Sequence, residues 1–321
     1  MNDHAPLERR IQAAERDLFA ALDTEVEERF LDLRRTNLRV RLLSHGSGPP
    51  LLLLHGGTFT AASWAPLFPE LQGFRLLAVD LPGHGLSDPV RYRRGHVREH
   101  AQRLIEDIVD ALDLDEVPVV GHSLGGMFAL WHVAAGSKRI SQVIAVGAPA
   151  VALPGTRVVM PLSLLTVPGV GVAVLRSPSP RPVYRGLLNK GLGSVEVKMA
   201  PAPLIEAMRL SARRPENARS VVSLLHAIDR FRRPRVESVL TAEELAAIRV
   251  PTLFILGSDD PYLSPGDAQP SIAQIPDATA HELPAGHGPW LADPWRVGGL
   301  IAAHLAAAGP DSAPLRTRAA G

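Results

Sequence analysis

The stretch VPVVGHSLGGMFALW, Val117 to Trp131, decides how this chain is read. Val117 to Val120 is short, uncharged and largely β-branched, the pattern of a buried strand. From Met127 onward the pattern suits a helix. Ser123 therefore stands where strand turns into helix, inside Gly121-His122-Ser123-Leu124-Gly125. A turn that tight lifts the hydroxyl clear of the sheet and forces a backbone geometry costing on the order of 1–3 kcal/mol. Bulky side chains two positions to either side would collide, which accounts for Gly121 and Gly125. The helix that follows begins at the hydroxyl, and its free N–H groups and positive dipole end favour a developing oxyanion. A serine so placed becomes a nucleophile only when a base accepts its proton and a third group fixes that base. On the pentapeptide alone, a Gly-rich turn with an N-capping serine is the plainer alternative.

The flanking sequence supplies the frame. PPLLLLHGG is a continuous apolar run and reads as a central strand buried on both faces. FRLLAVDLPGHG repeats the pattern and ends in a Gly-rich turn. ISQVIAVGAP, VPTLFILGSDD and ATAHELPAG read as further strands, and VEERFLDL with LRVRLLSHG as a paired set. GHVREHAQRLIEDIVDALDLD and PWLADPWRVGGLIAAHLAAA carry helical spacing. Strands alternating with helices predict an α/β fold, a mostly parallel doubly wound sheet covered on both faces. Its chemistry belongs in the crevice at the carboxyl ends of the strands. The alternation breaks between residues 150 and 247, which read as an inserted, mostly helical cap. The expected organisation is a helix over 1–22, a core over 23–149 and 248–307, the cap between them, and a disordered tail over 308–321.

Composition removes several classes. Of 321 residues, 46% are hydrophobic and 21% charged, ordinary for a globular protein. A net charge of +1 gives no electrostatic case for nucleic acid. The absence of cysteine excludes disulfides, thiolate catalysis and zinc–thiolate sites. The charged, amphipathic N-terminus lacks the apolar core of a signal peptide, so a cytoplasmic protein is expected. Val158–Leu175 is uncharged and about as long as the ~18-residue minimum for a membrane span. Pro161, Pro168, Gly169 and Gly171 interrupt it, so a buried or substrate-facing lid is preferred to contact with a membrane surface, and that to a span.

The Gly121–Gly125 motif in its strand-to-helix setting resembles the nucleophile elbow of the α/β-hydrolase family. Other segments match in order. The resemblance of LLLLHGGTFTAASW implies that Gly57 N–H forms half of the oxyanion hole, with Leu124 N–H the other half. Thr58 and Trp64 either line the pocket or pack. VDLPGHGLSD fits the family's D-x-x-G-x-G-x-S segment at Asp80, Gly83, Gly85 and Ser87, with Asp80 tying down the loop. The G-x-x-D pattern counted from Gly257 selects Asp260 over Asp259 as the acid. LPAGHGPW matches the loop that carries the base, His287, while His281 falls within a strand and His122 is a structural neighbour. The chain order Ser123, Asp260, His287 is the family's order.

What the resemblance implies is a serine hydrolase acting through an acyl-enzyme on a small-molecule carboxylic ester, with no metal or organic cofactor. A carbon–carbon bond hydrolase, or an acyltransferase or perhydrolase, would use the same residues, and a non-catalytic binding module is a further alternative. Carbon–carbon hydrolases of this fold tend to carry a longer Gly-rich loop and an Asn before the nucleophile; here the neighbour is His122. Apolar cap residues, Leu162 and Leu165 among them, suit a small to medium apolar acyl group. Arg176, Arg181 and Arg185 read as solvated cap arginines rather than as a carboxylate or phosphate site.

Overall fold

Leu51 to Leu54 are all buried, and they point alternately to opposite faces of the sheet. Leu52 and Leu54 join one core and Leu51 and Leu53 another. That double burial is why the strand reads as an unbroken apolar run. The computed structural model describes residues 6–159, 162–167, 169–230 and 233–307. The tail expected over 308–321 lies outside them.

The eight strands are β1 Glu27–Leu33, β2 Leu38–His45, β3 Pro50–Leu54, β4 Arg75–Val79, β5 Val117–His122, β6 Ile140–Val146, β7 Thr252–Gly257 and β8 Ala278–Leu283. They form one sheet in the order β1-β2-β4-β3-β5-β6-β7-β8. β1 and β2 are antiparallel to their neighbours, and every pairing from β4 to β8 is parallel. The helices of the core are α1 Leu7–Ala21, α2 Val97–Ala111 and α3 Leu124–Ala134. Those of the inserted segment are α4 Gly171–Arg176, α5 Arg181–Leu192, α6 Ser194–Met199, α7 Ala202–Arg213, α8 Pro215–Ile228 and α9 Ala242–Ala247. After it come α10 Pro265–Ile272, α11 Pro289–Ala292 and α12 Pro294–Ala307. Two 3₁₀ helices, Ala61–Glu70 and Leu162–Thr166, matter to the site.

α2 and α3 cover one face of the sheet, while the Ala61–Glu70 helix and α12 cover the other. The inserted segment is helical, and its last helix lies against the core. α9 packs on α3 and α10, and Leu245 and Ile248 are buried in the core. Val158–Leu175 is broken into the Leu162–Thr166 helix and α4, and among the described residues no helix is long and apolar enough to cross a membrane.

The N-terminal helix ties the core to the cap. Ile11, Ala14 and Leu18 are buried, and α1 lies against α7. Glu15 accepts two hydrogen bonds from Arg41 of β2, at 2.8 and 2.7 Å. Arg41 Nε also lies 2.9 Å from Asp80, in ion-pair contact but off the line of a hydrogen bond. All three side chains are buried. Burial pushes the Glu15 carboxyl up against the pull of Arg41. Burial acts the same way on Asp80, but Arg41, His55 and two backbone N–H groups outweigh it and hold that carboxyl below the usual range.

Candidate active site

The turn at Ser123 has the strain that the sequence implies. Ser123 sits at φ 49°, ψ −107°, and α3 starts at the next residue. A Cβ on Gly121 would lie 2.5 Å from Gly126 N, and one on Gly125 2.1 Å from Leu54 O. Neither backbone can give way, so only glycine fits at both positions. Gly125 N–H donates to His55 O at 3.1 Å, which fastens the elbow to the loop after β3. His55 holds that loop in turn: Leu81 N–H donates to its Nε2 at 2.9 Å, and its Nδ1–H donates to Gly56 O. Gly57 and Leu124 line the cavity at Ser123, and among the described residues neither N–H meets a protein acceptor.

The loops after β7 and β8 bring up an acid and a base. His287 Nδ1–H donates to Asp260 Oδ2 at 2.7 Å. Asp260 accepts further from Ala148 N–H and Tyr262 N–H, both at 2.9 Å. Burial raises the Asp260 carboxyl, but the neighbouring His287 and these hydrogen bonds outweigh it and hold the group below its ordinary range. Asp259 is exposed and its N–H donates to Ala285 O. Bonding Nδ1 leaves His287 Nε2 for the cavity, which Ser123 and His287 both line. Among the described residues Ser123 Oγ makes no hydrogen bond; such contacts are often loose until substrate is bound. His122 Nε2–H donates to His287 O at 3.0 Å. Burial first, and His287 next, push the His122 imidazole well below its ordinary value, so it is a neutral brace.

The cap closes over this site and grips it. His287 N–H donates to Leu192 O at 2.8 Å, and Gly286 N–H donates to the carboxylate of Glu196. Glu196 is 1% exposed. Two consecutive N–H groups of the histidine loop are thus bound by α5 and α6.

Beneath the cap lies a cavity of about 220 Å³ lined almost wholly by apolar groups. An engineered cavity of about 150 Å³ admits benzene, so this one has room for a ring or a short chain. Thr58, Leu162 and Leu165 line it. Trp64 does not, and that expectation is corrected: it is fully buried in the Ala61–Glu70 helix, its ring 4.9 Å from that of Trp290. The large ring finds its room in the packing between that helix and α11. Of the cap arginines, Arg176, Arg181 and Arg185 stand outside the lining, and Arg181 and Arg185 bond to Glu206 and Val197 O.

Several contributors escape the sequence motifs. Tyr262 and Tyr184 line the cavity, burial pushes both phenols up, and neither hydroxyl is bonded to another group among the described residues. The proximity of Tyr262 to Asp260 was an available signal. Glu196 had one too, as the single acid between residues 151 and 200. Among the described residues no cluster of His, Asp and Glu could hold a metal ion.

Comparison with known proteins agrees with this fold. A family model described as the alpha/beta hydrolase fold matches residues 49–293. A 2-hydroxy-6-oxononadienedioate/2-hydroxy-6-oxononatrienedioate hydrolase of Cupriavidus pinatubonensis is 28% identical over 77% of this chain and 83% of its own. A 2-hydroxy-6-oxo-6-phenylhexa-2,4-dienoate hydrolase of Burkholderia cepacia is 27% identical over 78% and 86%. The crystal structure of carboxylesterase CesB from Bacillus subtilis superposes with a TM-score of 0.72 at 21% identity, covering 94% of this chain and 99% of that one.

Proposed function

The chain belongs to the α/β-hydrolase fold family, whose relatives here are hydrolases, and within it we propose a serine hydrolase that cleaves a carboxylic ester with a small to medium apolar acyl group. The observation that carries the reading is the apolar cavity opening onto Ser123 and His287, with Asp260 behind. In this reading His287 Nε2 takes the proton of Ser123 as its oxygen attacks the ester carbonyl. Asp260 keeps Nδ1 protonated and steadies the imidazolium that forms. The N–H groups of Gly57 and Leu124 receive the carbonyl oxygen as it gains charge, each worth roughly 2.7–4 kcal/mol of barrier. His287 then protonates the leaving alkoxide, and a water activated by the same imidazole releases the acyl group.

The Cupriavidus and Burkholderia relatives favour a second reading. Their named substrates contain no ester, so their hydrolysis must break a carbon–carbon bond. The cavity speaks against a doubly charged substrate for this chain. A dienedioate carries two carboxylates, whereas Arg157 is the one Arg or Lys among the described lining residues. A neutral acyl group needs no second cation.

The deciding experiment sets a series of p-nitrophenyl esters of rising chain length beside 2-hydroxy-6-oxo-6-phenylhexa-2,4-dienoate. Ester turnover that peaks at short to medium chains and vanishes in Ser123→Ala supports the proposal. Faster loss of the dienoate would transfer it to the second reading, and full ester turnover by Ser123→Ala would remove the nucleophile.

A further inference from the structure

Eight large apolar side chains are well exposed among the described residues, and six of them fall between residues 164 and 199. These are Leu164, Val170, Val174, Val183, Val195 and Met199, the last three at 52%, 51% and 57% exposure. Leu164 and Val174 also line the cavity, so two of the six stand at the rim of the site.

The same part of the chain is charged with one sign. Between residues 151 and 200 stand Arg157, Arg176, Arg181, Arg185, Lys190 and Lys198, against the single acid Glu196. That acid is buried on Gly286 N–H and offers nothing to the outer surface. Arg181 pairs with Glu206 of α7, while Arg157, Arg176, Lys190 and Lys198 enter no ion pair among the described residues. The segment carries a net +5 in a chain whose whole is +1, so the rest is −4.

We infer that this outer face of the cap docks on an anionic lipid bilayer, with the cavity rim turned to the membrane. Exposed aliphatic groups supply one attraction and the cations another, and stable surface binding takes two. Near an anionic membrane each Lys or Arg is worth about 1 kcal/mol, roughly a fivefold gain in binding. A second copy of the chain is a poor occupant, because two such faces would bring like charges together. Docking places Leu164 and Val174 against the lipid, so an apolar ester dissolved there reaches Ser123 without crossing water. The inference stands apart from which bond Ser123 attacks.

The test is co-sedimentation of the full chain with phosphatidylcholine vesicles, with and without phosphatidylglycerol, at low and high salt. The protein should bind the anionic vesicles alone and be released by salt. A Val183→Ser/Met199→Ser variant and an Arg176→Glu/Lys190→Glu variant should each bind at least about tenfold more weakly. Both should turn over a water-soluble p-nitrophenyl ester at the parent rate, since none of the four residues lines the cavity. Ser123→Ala should bind like the parent, which separates failure of docking from failure of the hydrolase reading. Equal binding to neutral vesicles, or variants that bind as the parent does, would overturn the inference. So would a dimer in light scattering that the same substitutions dissolve, which would give the face to a second copy.

Discussion

Replacing Glu196 by alanine should damage the chemistry from outside the cavity. The carboxylate accepts the N–H of Gly286, next to the candidate base, and it is buried. Alanine at 196 leaves that N–H without an acceptor in a place water hardly reaches. An unsatisfied buried donor costs about 1–3 kcal/mol. The loop relieves the cost by moving toward solvent, which takes His287 out of line with Ser123. If the whole cost sets the population of the aligned loop, kcat falls by about five- to 150-fold. KM should hardly change, because Glu196 does not line the cavity. Glutamine keeps an amide oxygen in the same place and should restore most of the rate. The assay is steady-state hydrolysis of a p-nitrophenyl ester by parent, Glu196→Ala and Glu196→Gln, with labelling by a fluorophosphonate and thermal melting measured on each. The reasoning fails if Glu196→Ala keeps kcat within twofold of the parent. It fails equally if both variants lose the same activity in proportion to lost melting temperature, which would mark Glu196 as structural alone.

Three more outcomes follow from named contacts. Asp260→Asn should lower kcat by on the order of 10³–10⁴, while Asp259→Asn, at an exposed carboxylate, should leave it unchanged; steady-state kinetics of the two variants decide between them. Arg41→Met should cost about 3–5 kcal/mol, because it strands the buried carboxylates of Glu15 and Asp80, and a urea titration would show it as a lower midpoint. His132 is 1% exposed, and burial pushes its imidazole down to about 4. Its folded value is depressed, so its contribution is whole above about 6.5 and drains away as pH falls toward 4, at up to roughly 1.4 kcal/mol per pH unit. His132→Leu should therefore flatten the fall in melting temperature between pH 6.5 and 4, and an unchanged slope would contradict the assignment.

The core was legible in the sequence because each of its elements repeats a local rule. Leu51–Leu54 is apolar throughout because both faces of β3 are covered, and Gly121 and Gly125 are there because the backbones of Gly126 and Leu54 leave no space for a Cβ. Such constraints act within a few residues and leave a mark on the string. Ser123, Asp260 and His287 are legible as candidates in the same way, each following a strand where a short motif records the turn.

The cap obeys no such rule. Glu196 meets Gly286 across 90 residues, so nothing local requires an acid at that position. Trp64 shows the converse. The sequence leaves it either lining the pocket or packing, and its ring turns to Trp290, whose indole N–H donates to Ser63 O at 2.9 Å. No residue of the ten-residue Ala61–Glu70 helix lines the cavity, and the Trp64 ring is taken up in its packing against α11. Where a side chain's partner is distant in sequence, its role is written in the partner's position. That is why the grip of the cap on His287, through Leu192 O and Glu196, emerges only from the folded chain. It also means that any displacement of α5 and α6 that breaks these two hydrogen bonds would free the loop that carries the candidate base, His287.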